Sequence, residues 1–152
     1  MSKQRNGFTL IELVVVILIL GILSGVGAPK LFSTTDKANE AGVKQTLALV
    51  RNAIALYSAD NNGDFPPCTG DGIGETNFHG AMTTYLRGNF PVCPVGDNKN
   101  NHVAPSAVDP LVADDQVEAG WLYNPETGEF ICNSDLETPT STTENPMKYS
   151  EL

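Results

Sequence analysis

Apolar residues are unevenly spread along this chain. From Phe8 to Ala28, 21 residues carry a single charge, Glu12. At about 1.5 Å per residue, a helix of that length matches the hydrocarbon core of a bilayer, about 30 Å. Eleven Val, Ile or Leu residues lie between Leu13 and Val26. Their insertion gain is roughly 3 to 6.5 kcal/mol. That outweighs one carboxylate, which costs about 3 kcal/mol at the centre of a span and less near an end. Gly21, Ser24, Gly25, Gly27 and Pro29 punctuate the second half of the stretch. Relative to Ala, Gly costs a helix about 1 kcal/mol and Pro about 3, so the helix is predicted to kink or melt there. From Lys30 to Ala59 the pattern turns amphipathic. Val43, Leu47, Val50, Ile54 and Tyr57 recur at spacings of 4, 3, 4 and 3, one apolar seam on a helix.

Asn61-Asn62-Gly63-Asp64 ends that helix, and Pro66-Pro67 prevents its resumption. Between residues 76 and 87, Phe78, Met82, Tyr85 and Leu86 have the spacing of a short helix with one apolar face. Residues 94 to 118 mix Pro, Asn, Asp and Val without a period, which predicts an irregular loop with one short strand near Val108 to Val112. Trp121-Leu122-Tyr123 and Glu129-Phe130-Ile131-Cys132 flank the turn-rich Asn124-Pro125-Glu126-Thr127-Gly128, a β-hairpin signature. From Ser134 the chain is Thr, Ser, Pro and Glu with few apolar residues, the composition of a mobile tail. The fold class is therefore α+β. One long N-terminal helix, with a membrane half and an amphipathic half, packs on a small irregular domain with a short antiparallel sheet. The divisions fall at 1–7, a short basic leader; 8–29, the apolar helix; 30–60, its amphipathic continuation; 61–133, the globular domain; and 134–152, the flexible polar tail.

Charge narrows the function classes. The net charge is −9, and from Ser58 onward 15 acids stand against 3 bases, Arg87, Lys99 and Lys148. So acidic a domain lacks the basic face that nucleic acid needs, and it would be repelled by anionic lipid. Lys3 and Arg5 before the apolar run favour a cytoplasmic N-terminus. An ordinary cleaved signal peptide could end at the small residues Gly25 and Gly27, but Glu12 inside the apolar region argues against it. Catalytic signatures are missing: the sequence has no nucleophile elbow, phosphate-binding glycine loop or HExxH helix. His79 and His102 stand in unrelated polar contexts. The chain does not read as an enzyme.

Gly7-Phe8-Thr9-Leu10-Ile11-Glu12, followed by the Val/Ile/Leu run, resembles the prepilin processing motif of type IV pilins and type II secretion pseudopilins. The resemblance covers about residues 1 to 32, and Gly21 and Pro29 match the family's helix-weakening positions. Ala55-Leu56-Tyr57 through Asn62-Gly63-Asp64-Phe65-Pro66 is similar to the helix exit of the major pseudopilin. The resemblance implies cleavage between Gly7 and Phe8 by a membrane prepilin peptidase, with N-methylation at Phe8. It further implies polymerisation with copies of itself and other pilin-like subunits. The assembly machinery would lie at the bacterial inner membrane, which the chain would cross once, its globular domain outside. The function implied is that of a structural subunit of a type II secretion pseudopilus. A type IV pilin of a surface filament (adhesion, motility or DNA uptake) is the alternative. From a different class, a membrane-anchored exported binding domain that never polymerises would be indifferent to Glu12.

Glu12 also has a physical reading of its own. A carboxylate in hydrocarbon needs a partner, and cleavage would create an ammonium at Phe8. Head-to-tail stacking would let Glu12 of one subunit neutralise that amine on the next, making Glu12 the assembly residue. Cys68, Cys93 and Cys132 would lie in an oxidising compartment, where a single bridge is expected. Cys68–Cys93, bracketing the short helix, is the first expectation, and Cys93–Cys132 is its rival. Asp109, Asp114 and Asp115 sit in a loop with backbone carbonyls, a donor set that suits calcium in a general way. The Gly/Asp-rich ending that carries calcium in the major pseudopilins is not recognisable here, and no cofactor is assigned.

Overall fold

The computed structural model describes residues 7–70 and 77–152, and the side chains of 26–33 fall outside that description. The elements are α1 (Leu10–Asp60), α2 (Asn77–Met82), β1 (Val103–Pro105), β2 (Trp121–Tyr123) and β3 (Phe130–Cys132), followed by a 3-10 turn at Tyr149–Glu151. The chain divides into two compact units, Met1–Asp36 and Lys37–Leu152.

In the first unit, α1 begins at Leu10 and stays helical through Gly21 and Pro29. The helix therefore does not melt at these positions. A proline removes one backbone donor from the helix ladder, and here the turns on both sides carry the helix across it. The Met1–Asn6 part of the leader, with Lys3 and Arg5, lies outside the described residues.

The second unit forms around the seam read from the sequence. Val43, Leu47, Val50 and Ile54 are buried, and Tyr57 packs at the edge of the same core. Burying each of the larger aliphatic side chains contributes about 1.5–3 kcal/mol. The seam faces an aromatic cluster. Phe78 of α2 stacks on Phe130 at 6.1 Å and tilts against Tyr123 at 4.5 Å, while Trp121 stacks on Phe130 at 5.3 Å. The polar ends of these rings are satisfied: Trp121 Nε1 donates to Pro91 O at 3.0 Å, and Tyr123 Oη to Pro66 O at 3.1 Å.

The sheet is mixed rather than antiparallel. β2 and β3 form the expected hairpin, Leu122 opposite Ile131, and β1 adds to β2 in parallel with Ala104 opposite Leu122. Side chains alternate across a strand, and both faces of this sheet are covered. Val103, Trp121, Tyr123, Phe130 and Cys132 join the cluster that includes the α1 seam. Ala104, Leu122 and Ile131 join a second cluster with Leu111, Ala119 and Val117, contributed by the loop that connects β1 to β2. The strand expected near Val108 to Val112 is not formed; that stretch is loop, and β1 lies just before it. Gly128 closes the hairpin turn at φ +75°, with the Phe65 ring where a Cβ would stand. Both the left-handed backbone and the close ring favour glycine at this position.

The tail is ordered, contrary to its composition. Glu137 and Lys148 form an antiparallel bridge, and Thr138 N donates to Met147 O at 2.9 Å. Tyr149 is buried in the main core, and Ser150 N donates to Ser134 O. Arg51 of α1 donates from Nε to Phe130 O at 3.1 Å and from Nη1 to Leu152 O at 3.0 Å. The polar sequence folds back because its main-chain groups find partners and one aromatic side chain anchors it. Limited proteolysis of the folded protein should leave 134–152 uncut. Tyr149→Ala, which removes on the order of 3 kcal/mol of packing, should expose the segment to cleavage. Rapid cleavage of the unaltered tail would contradict this packing.

Candidate processing and assembly site

Gly7, Phe8 and Thr9 precede the first helical residue. The Gly7–Phe8 peptide bond therefore lies in non-helical chain, and Phe8 is 81% exposed. A peptidase must bind its scissile bond in an accessible, unfolded backbone, and this bond meets that requirement.

Thr9 fixes where the helix starts. Its carbonyl accepts from Leu13 N at 3.3 Å, while its Oγ1 accepts from Glu12 N at 3.3 Å. In return Glu12 Oε2 accepts from Thr9 N at 2.9 Å and from Thr9 Oγ1 at 2.8 Å. This reciprocal arrangement is a capping box, in which two otherwise unpaired helix donors are satisfied. The sequence reading missed Thr9, although its signal, Thr-x-x-Glu ahead of an apolar run, was present. The cap bonds to Glu12 all use Oε2. A carboxylate has room for about four donors, so the second oxygen remains able to take an ammonium.

Beyond the cap, thirteen large apolar side chains from Phe8 to Leu23 are each at least 45% exposed. They surround the helix on every side, a pattern found in helices buried in a membrane or among other helices. Among the described residues no helix is long and apolar enough to cross a membrane. Within the span expected from sequence the described side chains end at residue 25, and those of 26–29 lie outside the description. Gly21 has open space around it.

The other candidate residues fall in the second unit. Cys93 Sγ and Cys132 Sγ are 3.3 Å apart and fully buried. Cys68 Sγ instead donates to Val103 O at 3.8 Å. The pair set side by side is thus the rival, not Cys68–Cys93, because β3 brings Cys132 under the loop that carries Cys93. The hydrogen bond from Cys132 holds the Cys93 thiol below its ordinary pKa despite burial; the same bond, burial and the Cys93 charge push Cys132 far up.

The three aspartates do not converge. Asp114 Oδ1 accepts from Gln116 N, Asp115 Oδ1 accepts from Gln116 Nε2, and Asp109 precedes a cis proline. Among the described residues no group of three or more His, Cys, Asp or Glu is placed to hold a metal ion, so these aspartates do not form a shared set of side-chain ligands. The loop is organised by Asn133 instead, whose Nδ2 donates to Asp114 O and Ala119 O and whose Oδ1 accepts from Asp114 N. His79 tilts against Phe90 at 4.6 Å with Nε2 3.0 Å from Asn101 O, a packing role.

Glu40 is a further residue that the sequence reading passed over. Its side chain is 3% exposed, at the head of the α1 seam. It accepts from Lys44 Nζ at 2.6 Å, from Thr140 N at 3.2 Å and from Thr140 Oγ1. Burial raises its pKa, but the Lys44 and Thr140 hydrogen bonds and the Lys44 charge outweigh burial, leaving it below the usual glutamate value. A depressed folded-state pKa gives stability that is present above the unfolded value, about 4.3, and is lost as pH falls through the folded one. Wild type should therefore exceed Glu40→Gln in urea midpoint at pH 7, with the gap narrowing towards pH 3. A gap independent of pH would contradict this.

A family profile described as the prokaryotic N-terminal methylation motif matches residues 2–28. Similar curated proteins include the type IV narrow pilus major component PilA5 of Thermus thermophilus, 47% identical over 65 residues, which are 43% of this chain and 55% of that protein. The type II secretion system core protein G of Aeromonas hydrophila is 41% identical over 61 residues, 40% of this chain and 43% of that protein. Core protein G of Escherichia coli is 37% identical over 72 residues, 47% and 48% of the two chains. The chain spans about half the length of the curated relatives it matches. No solved structure matches it.

Proposed function

We propose that this chain is a structural subunit of a type II secretion pseudopilus, anchored in the bacterial inner membrane and polymerised through its N-terminal helix to support protein export. The observation that carries the reading is the helix from Leu10, apolar on all sides and unpartnered in its own unit, with one capped carboxylate at its start. Hydrocarbon can cover such a helix before assembly, and the same helix of neighbouring copies can cover it afterwards. Similarity to core protein G supports the secretion assignment. Cleavage between Gly7 and Phe8 by a prepilin peptidase leaves an ammonium at Phe8, which is then N-methylated. Glu12 Oε1 of one subunit neutralises that group on the next, while Oε2 keeps the cap. Other pilin-like subunits and the inner-membrane assembly machinery are the remaining partners.

Similarity over 65 residues to a type IV narrow pilus component favours a second reading, a surface type IV pilin. Shearing separates the two: a surface filament is released with the sheared material, whereas a pseudopilus subunit stays with the inner membrane.

Glu12→Ala should be cleaved normally yet form no filaments, since it removes the counter-charge and leaves the cleavage bond intact. Thr9→Val, which loses the hydroxyl bonds of the cap but keeps the residue 9 main-chain donor and the carboxylate, should retain assembly in part. Normal filaments from Glu12→Ala would overturn the proposal and favour an anchored domain that does not polymerise.

A further inference from the structure

We infer that Cys93 and Cys132 are a disulfide-forming pair that staples the loop before β1 to β3, while Cys68 stays outside the bridge. Three observations converge on that pair. Its sulfurs are 3.3 Å apart with both residues fully buried. The register of the hairpin sets Cys132 opposite Trp121, and Asn133 N donates to Gly120 O, so β3 holds Cys132 beside Gly120. On the other side, a Cβ on Gly120 would meet Cys93 Cβ at 2.7 Å and Asn100 O at 2.6 Å. Only glycine at 120 lets the Cys93 loop close onto the hairpin.

The loop is fixed independently of any bridge. Cys93 N donates to Asn100 O at 2.9 Å, and Asn100 Oδ1 accepts from Gly120 N at 2.8 Å and His102 N at 3.0 Å. Asn98 Nδ2 and Asn100 Nδ2 donate to Val117 O and Glu118 O. The folded loop therefore sets Cys93 against Cys132 whether or not they are bridged. Cys68 is engaged elsewhere, at the carbonyl of Val103.

The chemistry is thiol–disulfide exchange with an external disulfide, either a dithiol oxidase or a low-molecular-weight disulfide. One cysteine thiolate attacks it to give a mixed disulfide, and the other displaces the leaving thiol. Two thiols of this chain lose two electrons and two protons, and the external disulfide gains both and becomes two thiols. A bridge here closes a loop of roughly 40 residues in the unfolded chain, a length at which cross-linking restricts the unfolded state strongly. The inference rests on the proposed export only for where the oxidant is met, since the sulfur geometry belongs to the folded domain.

Full-length chain from its native cells, acid-quenched and alkylated without reductant, tests the pairing by peptide mass mapping. The expected result is one cross-linked species joining the Cys93 and Cys132 peptides, lighter by two hydrogens than the reduced pair, with Cys68 alkylated. Cys68→Ser keeps the species, and Cys93→Ser and Cys132→Ser each lose it. A bridge through Cys68, or three alkylated thiols even after the folded chain is equilibrated with oxidised glutathione, would overturn the inference. A chain reduced in cells but bridged Cys93–Cys132 by glutathione would uphold the pair and count instead against the exported location.

Discussion

A helix that is apolar all round has no stable place in water. Among the described residues of the first unit, the Val, Ile and Leu side chains from Leu10 to Leu23 are exposed. At about 25 cal/mol per Å2 of apolar surface, leaving them in water would cost tens of kcal/mol. In the proposed reading their cover comes from outside the unit, first from lipid and then from other copies. One carboxylate interrupts this surface at its first turn, and the capping box shows how a chain tolerates it. Glu12 is held by the main-chain and hydroxyl donors of Thr9 just outside the helix. In the proposed filament this charge would meet the ammonium of a neighbouring copy.

The second unit solves the opposite problem. It must be stable in water with a small, acidic domain whose strands are three residues long. Stability comes from burying both faces of the sheet, one in the cluster built with the α1 seam and the aromatic residues, the other under the β1–β2 connection. Asparagine side chains supply the hydrogen bonds that a longer sheet would have supplied. Asn100, Asn124 and Asn133 each bond several main-chain groups in the surrounding loops.

What the sequence revealed follows the range of the interaction involved. Short-range periodicity was legible: the Val43 to Tyr57 seam, the Phe78 to Met82 helix and the Trp121 hairpin stand where their spacing placed them, although α2 ends at Met82, so that Tyr85 and Leu86 reach the core from the turn that follows it rather than from the helix expected over 76–87. Interactions that depend on distant residues were not. β1 is three residues long and parallel to a strand well beyond it, so no local alternation marks it. The tail is polar in composition, yet Thr140 finds Glu40 a hundred positions away and Tyr149 finds the core. Counting cysteines cannot say which two lie together; the β3 register sets Cys132 beside Cys93. Thr9 is the instructive case, because its signal was local and readable but was overshadowed by the apolar run beside it.

The central claim is that processing at Gly7–Phe8 releases a helix built to assemble. Intact-protein and N-terminal peptide mass spectrometry on the chain from native membranes and sheared material tests it most directly. The account predicts a chain that begins at Phe8 and carries a methyl group on its amine. A chain that retains Met1, or that begins near Ala28 with the apolar helix removed, would contradict it.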